Sequence, residues 1–360
     1  MKSKLNLPWW SLAAPVLSWV LYLVKPESVG NIYSFFLGFG LIAGVIAAVH
    51  HAEVIAHKVG EPFGTLILAL AVTTIEVALI VSLMLAGGES TSTLARDTVF
   101  AAVMLILTGM VGLCLLIGGA RYKEQVITKR GVDAALVTLT AITILTLVLP
   151  NYTTSAPGPF YTTAQLVFVA IISLILYLTF VLVQAVRHRD YFLPPGIESN
   201  EEIHSDPPNK ATAFTSLLAL FACLGAVVLI AKAISPVIEQ AVDNIGAPKS
   251  LVGIIIAGII LLPEGTAAIQ AARNNRLQNS INLALGSALA SIGLTIPAVA
   301  IVSVISGFPV TLGIDAKSTL LLILALYVIM LSLSTGRTTV LQGIVLLVIF
   351  AVYLFTTIIP

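Results

Sequence analysis

Long apolar runs, separated by short polar segments, constrain this chain more than any other feature of its sequence. Of its 360 residues, 58% are hydrophobic and only 10% are charged, a balance that water-soluble domains do not have. A helix that crosses a bilayer needs about 20 mainly apolar residues, and hydropathy predicts about eleven such spans here. The predicted fold class is therefore an all-α polytopic membrane protein. The spans lie near residues 9–24, 31–50, 65–86, 97–119, 132–150, 162–185, 212–233, 251–272, 280–304, 317–333 and 339–358.

The lysines and arginines fall unequally on the two sides of this predicted topology. With the N-terminus in the cytoplasm, thirteen of the 18 lie on the inner side and five on the outer side. This agrees with the positive-inside rule, and an odd number of spans then places the C-terminus outside. The first apolar run follows Lys2 and Lys4, but no small-residue cleavage site precedes Lys25, so we interpret it as a retained helix. Compact loops and the absence of a targeting peptide favour a bacterial inner membrane.

Two short segments resemble each other and divide the chain into halves. Residues 53–62 and 239–248 both read Glu, six residues, Gly, any residue, Pro. Each precedes an apolar span that contains one glutamate: Glu76 lies 16 residues after Gly60, and Glu264 lies 18 residues after Gly246. The first copy starts on the inner side and the second on the outer side. One N-terminal helix followed by two inverted five-helix repeats is the predicted architecture, and such repeats are typical of secondary transporters.

The predicted organisation has four segments. An N-terminal transmembrane helix occupies residues 1–30, and the first repeat occupies 31–186, with its motif around 60–86. A cytoplasmic acidic linker at 187–211 separates it from the second repeat at 212–360, whose motif lies around 246–295. The linker contains Asp190, Glu198, Glu201, Glu202 and Asp206.

The two repeat glutamates are the leading candidates for function. A charged side chain at the bilayer centre costs roughly 2.5–3.5 kcal/mol on insertion scales, so Glu76 and Glu264 indicate a binding site. Removal from water disfavours the charged carboxylate, so the protonated form becomes accessible when no cation is bound. Two such groups can exchange one divalent cation for two protons. The structural alternative is a protonated glutamate that forms a hydrogen bond between helices.

Oxygen atoms close to these glutamates in the sequence could complete a cation site. Because Pro263 has no N–H, the carbonyl of Ile259 lacks its helical donor. Calcium takes six to eight oxygen ligands, and the available oxygens approach that number. The alternative is that the small residues merely pack helices closely. The first half is less polar, so we expect a lopsided site in which Glu264 dominates cation binding. The candidates are Thr73, Thr74, Ile259, Asn282, Ser287 and Ser291, with Thr295 continuing the hydroxyl stripe.

Polar residues also crowd the inner end of the second span. Glu53 and His57 lie one helical turn apart, so a pH-sensing or cation-collecting entrance is one interpretation, and a solvated helix face is the other. Glu53 has a repeat partner in Glu239, and we treat both as accessory acids. No His-Glu-x-x-His metal motif or nucleophile–base pair is present in the sequence, so neither an enzyme nor a resident cofactor is expected. The crowded residues are His50, His51, Glu53, His57, Lys58 and Glu61.

At these residues the chain resembles the cation/calcium exchanger superfamily, and within it the bacterial calcium/sodium–proton antiporters of the Cha type. Residues 60–64, running on to Glu76, are similar to the first α-repeat of that superfamily. Residues 262–265 and 282–287 are similar to the second, and residues 336–343 to its last-loop motif. The resemblance implies that Glu76 and Glu264 bind the cation and protons alternately. Departures occur before Glu76, which follows Val-Thr-Thr-Ile, and at Ala101-Ala102, where a Gly-Ser pair is expected.

These observations favour a cation/proton antiporter that works by alternating access. It would export calcium, sodium or potassium in exchange for protons. A sodium-coupled calcium exchanger is the closest alternative, and a cation channel is a further one. The expected substrates are cations and protons, and the expected surroundings are a lipid bilayer. The net charge of +1 argues against nucleic acid as a partner. The oligomeric state is left open.

Overall fold

The structure is a computed structural model that describes residues 7–24, 30–60, 63–87, 91–193, 208–244, 246, 248, 250–307 and 309–359. These residues are almost entirely helical. The α-helices are Trp9–Val24 (α1), Gly30–Val59 (α2), Phe63–Gly87 (α3), Leu94–Met104 (α4), Val111–Tyr122 (α5), Lys129–Thr143 (α6), Thr163–Leu182 (α7), Lys210–Asn244 (α8), Ser250–Arg273 (α9), Leu277–Ser306 (α10), Ala316–Leu333 (α11) and Val340–Ile358 (α12).

Shorter elements join or extend some of these helices. π-Helical stretches follow α4, α6 and α7, at Leu105–Met110, Ile144–Val148 and Val183–Arg187. Short 3₁₀ helices occupy Leu149–Tyr152 and Arg189–Phe192. Two dipeptide strands, β1 (Gln125–Val126) and β2 (Arg337–Thr338), form an antiparallel pair with Gln125 opposite Thr338.

The helices have the lengths and compositions that a membrane protein requires. Within the described ranges, nine are long and apolar enough to cross a bilayer, and two shorter apolar helices, Trp9–Val24 and Leu70–Leu85, accompany them. The prediction of an all-α polytopic membrane protein is confirmed. The nine are Tyr33–Val59, Leu94–Tyr122, Lys129–Tyr152, Thr163–Arg187, Lys210–Asn244, Ser250–Arg273, Leu277–Ser306, Ala316–Leu333 and Val340–Ile358.

The chain divides into two compact units. Unit 1 comprises Met1–Leu83 and Glu202–Gly246, which contain α1, α2, most of α3, and α8. Glycines let its helices approach closely: a Cβ added at Gly44 of α2 would lie 2.9 Å from Val227 of α8 and 3.2 Å from the Ser18 hydroxyl of α1. The Ser18 hydroxyl also donates to the carbonyl of Gly40 over 2.9 Å. Small residues therefore hold α2 against both α1 and α8, as is usual between membrane helices.

Unit 2 comprises Met84–Glu201 and Ala247–Pro360. Its helix α10 is buried along most of its length and contacts α4, α5, α6, α7 and α9. The backbones of α5 and α12 lie in close contact at Gly343, where an added Cβ would clash with the backbone nitrogen of Leu116. The core of this unit thus surrounds the helix that carries the predicted hydroxyl stripe.

Several predictions concern residues outside the described ranges. Glu198, Glu201, Glu202 and Asp206 of the linker lie there, as do Glu61, Pro62 and Ala247 of the repeat motifs and the lysines at 2, 4, 25 and 249. The four-segment organisation stays a prediction.

Candidate cation-binding residues

Glu264 lies inside unit 2 on a helix that its neighbouring proline does not break. Helix α9 continues from Ser250 to Arg273 through Pro263. Only 6% of Glu264 is exposed, and its Oε2 accepts a hydrogen bond from the Ser287 hydroxyl of α10. A charge-assisted hydrogen bond of this kind is about twice as strong as a neutral one. The structure therefore joins the predicted carboxylate and the first residue of the hydroxyl stripe.

The rest of the stripe lies on the same face of α10. Ser287, Ser291 and Thr295 recur every four residues, which places them above one another on the helix, and all three are buried. The Thr295 hydroxyl makes no hydrogen bond to any residue that the structure describes. A buried hydroxyl without a partner costs about 1–3 kcal/mol, so this atom is available to a cation or a water molecule.

Asn282 has a different environment from the stripe. Its side-chain nitrogen donates to the carbonyl of Phe192 over 2.6 Å, and its oxygen accepts from the side chain of Gln278 over 2.8 Å. The amide therefore connects the start of α10 to the 3₁₀ helix at Arg189–Phe192. Its predicted role as a cation ligand stays a prediction.

The backbone near Glu264 has the oxygen atoms that the sequence predicts. Ile259 is partly buried, and its carbonyl lies four residues before Pro263, which has no N–H to donate. The Pro263 carbonyl, by contrast, accepts a hydrogen bond of 2.8 Å from the Thr266 hydroxyl. The carbonyl of Ile259 is thus the one that the proline deprives of its helical donor.

Glu76 lies in unit 1, on α3, with only 4% of its surface exposed. Thr73 is equally buried and lies three residues earlier, on the same side of the helix. Thr74 is exposed, and its hydroxyl donates to the carbonyl of Leu70 over 2.6 Å. Of the two threonines that precede this glutamate, only Thr73 therefore shares its buried face.

Sequence reasoning missed Tyr177 of α7. This buried tyrosine packs against Gly293, where an added Cβ would lie 2.7 Å from the tyrosine Cβ, and its phenol interacts electrostatically with Glu264. The available signal was a pair of polar residues, Ser173 and Tyr177, four positions apart in a mainly apolar span. Such spacing places both on one face of the helix.

The two accessory acids lie on exposed positions of unit 1. Glu53 and Glu239 are both exposed, and Glu239 accepts a 3.2 Å hydrogen bond from the Ser235 hydroxyl. Over the described part of the chain, no group of three His, Cys, Asp or Glu side chains is placed to hold a metal ion.

Long apolar helices with buried carboxylates and buried hydroxyl groups define an integral membrane protein with candidate functional residues inside its spans. The family model described as sodium/calcium exchanger protein matches residues 30–186 and, again, residues 215–359. The chain belongs to this family, and the predicted superfamily is confirmed. The family consists of transport proteins, which agrees with the prediction that the chain is not an enzyme.

Curated relatives cover most of the chain. It is 45% identical over its full length to y4hA of Sinorhizobium fredii, named as an ionic transporter, which is also covered in full. It is 36% identical to the sodium-potassium/proton antiporter ChaA of Escherichia coli, over 88% of this chain and 86% of that one. A Ca²⁺/H⁺ antiporter of Aphanothece halophytica is 24% identical, with 83% of each protein covered. The chain is therefore a member of the cation-exchanger class.

Solved structures share the fold. The H⁺/Ca²⁺ exchanger CAX superposes with a TM-score of 0.72 over 96% of this chain and 87% of that one, at 16% identity. Native YfkE gives a TM-score of 0.70 over 98% and 99% of the two chains, at 17% identity.

Proposed function

We propose that this protein is a secondary active antiporter that exports a metal cation in exchange for protons by alternating access. Glu76 and Glu264 are the two glutamates that bind the cation and protons alternately near the bilayer midplane. The main support for the proposal is the buried Glu264 carboxylate, which accepts a hydrogen bond from the Ser287 hydroxyl between two spanning helices. A buried carboxylate that can be neutralised by either a cation or a proton is the chemical unit of such an exchange.

The remaining site residues are proposed to supply neutral oxygens. The proposed oxygen ligands are Thr73 in unit 1 and, in unit 2, Ser287, Ser291 and the Ile259 carbonyl. Thr74 and Asn282 take lesser parts because their side chains bond elsewhere. Glu53 and Glu239 are accessory acids at exposed positions. The cations and protons are substrates, and the protein needs no resident cofactor. The proposed location is a bacterial inner membrane, with the N-terminus cytoplasmic and the C-terminus outside.

The transported ion is proposed to be sodium or potassium, with calcium as a further substrate. The E. coli relative at 36% identity is named for sodium, potassium and protons, and the relative named for calcium is only 24% identical. The resemblance to the superfamily implies Gly-Asn-Ala shortly before Glu76, whereas residues 72–74 are Val-Thr-Thr and lack the amide oxygen. Calcium takes six to eight oxygen ligands, so this loss weakens the case for calcium. A sodium-coupled calcium exchanger is the second candidate, because the matching family is described by that exchange.

A cation panel in everted membrane vesicles tests the proposal. Sodium, potassium and calcium are added separately between pH 7 and 9, and proton movement is followed with a pH-sensitive dye. We expect cation-dependent proton flux in the natural protein and in Glu124→Gln, an exposed control carboxylate paired with Arg337. We expect none in Glu76→Gln or Glu264→Gln.

Each alternative predicts a different result in the same vesicles. Calcium flux that follows a sodium gradient and ignores a proton ionophore would establish the sodium-coupled exchanger. Flux that a pH gradient cannot drive uphill would establish a channel. Full proton flux in both glutamine variants would overturn the roles of Glu76 and Glu264.

A further inference from the structure

Two adjacent histidines in unit 1 are covered by the start of α1. His51 is fully buried, with 0% of its surface exposed, and its Nε2 lies 2.9 Å from the carbonyl oxygen of Ser11. A carbonyl oxygen only accepts, so Nε2 carries the hydrogen and Nδ1 of the neutral ring is an acceptor. That Nδ1 is buried and has no hydrogen-bond partner in the described part of the chain.

His50 also has a buried ring nitrogen without a hydrogen-bond partner in the described part of the chain. Its ring lies 5.0 Å from the ring of Trp10 and 5.7 Å from that of His51. Its Nε2 is buried and likewise has no hydrogen-bond partner among the described residues. The first turn of α1 therefore shields two imidazoles that could each take up a proton if water reached them.

The described carboxylate nearest to these rings in the sequence is Glu53, three residues after His50 on α2. Helix α1 has no Asp, Glu, Lys or Arg, and its one titratable side chain, Tyr22, lies at its opposite end. On α2 itself, Glu53 and His57 are exposed and interact with each other, and Lys58 follows them. Glu76 is the one carboxylate in the described part of α3.

Helix α8 also faces the histidines with an uncharged segment. It runs antiparallel to α2, because Gly40 and Gly44 oppose Ile230 and Val227 in turn. Continuing that register brings residues 211–224 of α8 towards the histidine turn, where Cys223 is the one titratable group and Lys210 lies beyond. The buried Ser216 hydroxyl in this segment makes no hydrogen bond to a described residue.

We propose that the first turn of α1 is a pH-dependent clasp on α2, released when His50 or His51 takes up a proton. A charge buried without a partner is strongly unfavourable, whereas the same imidazolium in water is stable. The released state therefore binds more protons than the closed one. By linkage, closure is favoured as pH rises and release as pH falls, and imidazoles titrate between about pH 5 and 8.

The clasp is local because the later turns of α1 are held independently. The Trp19 indole donates to the Ala222 carbonyl of α8 over 2.9 Å, and the Ser18 hydroxyl holds Gly40 of α2. Neither contact involves a group that titrates in this range. Release thus frees the start of α1 and exposes the inner end of α2, while the remainder of α1 still bridges α2 and α8.

A distance measurement between spin labels tests the clasp without depending on transport. Labels are placed at Trp9→Cys, where the side chain is 81% exposed, and at Val59→Cys, at the exposed end of α2. The background is Cys114→Ala and Cys223→Ala, and the full chain is held in lipid nanodiscs. At pH 8 we expect mainly one narrow distribution of short distances. At pH 5.5 we expect a second distribution at longer distances, and the fraction of molecules in it should be at least about threefold larger than at pH 8.

A matched pair of histidine variants assigns the effect. His50→Gln with His51→Gln removes the titrating groups, yet the amide introduced at position 51 can still donate to the Ser11 carbonyl, so the long population should no longer depend on pH. His57→Gln changes an exposed histidine of the same helix and should keep the full response. If the double variant does not fold, each single variant should retain at most part of the response.

Two results would overturn the proposal. One is a distance distribution that does not change between pH 8 and 5.5. The other is an unchanged pH response in the histidine variants that fold. Because labels report α1 and not ion flux, a protein that fails as an antiporter can still pass this test.

Discussion

The two glutamate helices differ in what surrounds their carboxylates. On α9, Glu264 accepts a hydrogen bond from the Ser287 hydroxyl, and Pro263 leaves the Ile259 carbonyl without its helical donor. On α3, Glu76 shares its buried face with Thr73, and the next threonine bonds to its own helix. Matching positions in the two repeats thus have different oxygen atoms beside them among the described residues. On the proposed function, we predict that unit 2 dominates binding of the metal cation and that Glu76 chiefly adds a second exchangeable charge.

The largest expected effect separates cation binding from transport. We expect Glu264→Gln to abolish both, whereas Glu76→Gln abolishes proton flux but keeps weak cation binding through the oxygens of unit 2. Binding is measured as protection against thermal unfolding, since a ligand at 100 times its Kd stabilises by about 2.7 kcal/mol. Glu124→Gln should be protected like the natural protein. Equal loss of protection in the two glutamate variants would show that the halves contribute equally.

A second prediction compares one hydroxyl from each helix. Ser287→Ala removes a hydrogen bond to Glu264, and bonds to charged groups contribute about 1.5–3 kcal/mol. We therefore expect a rise in the apparent cation Km of about tenfold or more, because each 1.4 kcal/mol corresponds to tenfold. Thr74→Val removes an exposed hydroxyl that bonds only to Leu70 and should change Km by less than about threefold. Equal shifts of Km in the two variants, measured in the vesicle assay, would contradict the unequal roles of Ser287 and Thr74.

A third prediction concerns helix packing in the two units. Gly343→Ala should destabilise unit 2 by about 1–3 kcal/mol, because the new Cβ meets the Leu116 backbone, which cannot move aside. Gly44→Ala should cost less, since it meets the side chains of Val227 and Ser18. Gly286→Ala, with no atom within 4 Å of its added Cβ, is the control. Thermal unfolding in one detergent ranks the three, and a Gly44 variant less stable than the Gly343 variant would reverse the argument.

The smallest expected effect lies in unit 2 outside its spans. Burial raises the pKa of Tyr161 to about 12, and its hydroxyl donates to the Leu145 carbonyl over 2.6 Å. A raised pKa in the folded state means that this contribution to stability is complete below about pH 10, the usual tyrosine value, and disappears as pH rises towards 12. Tyr161→Phe should therefore lower stability by about 1 kcal/mol at pH 8, and this cost should vanish between pH 10 and 12.

Difference absorbance near 295 nm between the natural protein and Tyr161→Phe gives the titration directly. Ionisation of Tyr161 near pH 10 would contradict the burial argument. Unit 1 offers no equivalent tyrosine hydrogen bond to a π-helical stretch in its described residues, so the effect should be confined to unit 2.

The positions of the helices and the burial of Glu76 and Glu264 were predictable from the sequence, because hydropathy and single charges in apolar runs are local signals. Each of the eleven predicted spans corresponds to an apolar helix. The Ser287–Ser291–Thr295 stripe was also readable, since a spacing of four residues defines one helix face.

What the sequence did not show depends on contacts between distant segments. Tyr177 of α7 comes near Glu264 because α7 packs on Gly293 of α10. Asn282 reads as a ligand from its motif, yet its amide bonds to Phe192, 90 residues away in the chain. The π-helical stretches could not be predicted from glycine or proline positions, because the three contain no proline and a single glycine, Gly109.

Those π-helical stretches have a consequence for how this scaffold tolerates insertion and deletion. A π turn accommodates one more residue than an α turn, so Leu105–Met110, which lies between α4 and α5, stores a surplus residue within a continuous helix. Deleting one residue from Leu105–Met110 should restore regular α-helix locally and leave the faces of α4 and α5 in register. A deletion in α10, which has no such reserve, would rotate everything after it by about 100° and turn its hydroxyls away from Glu264.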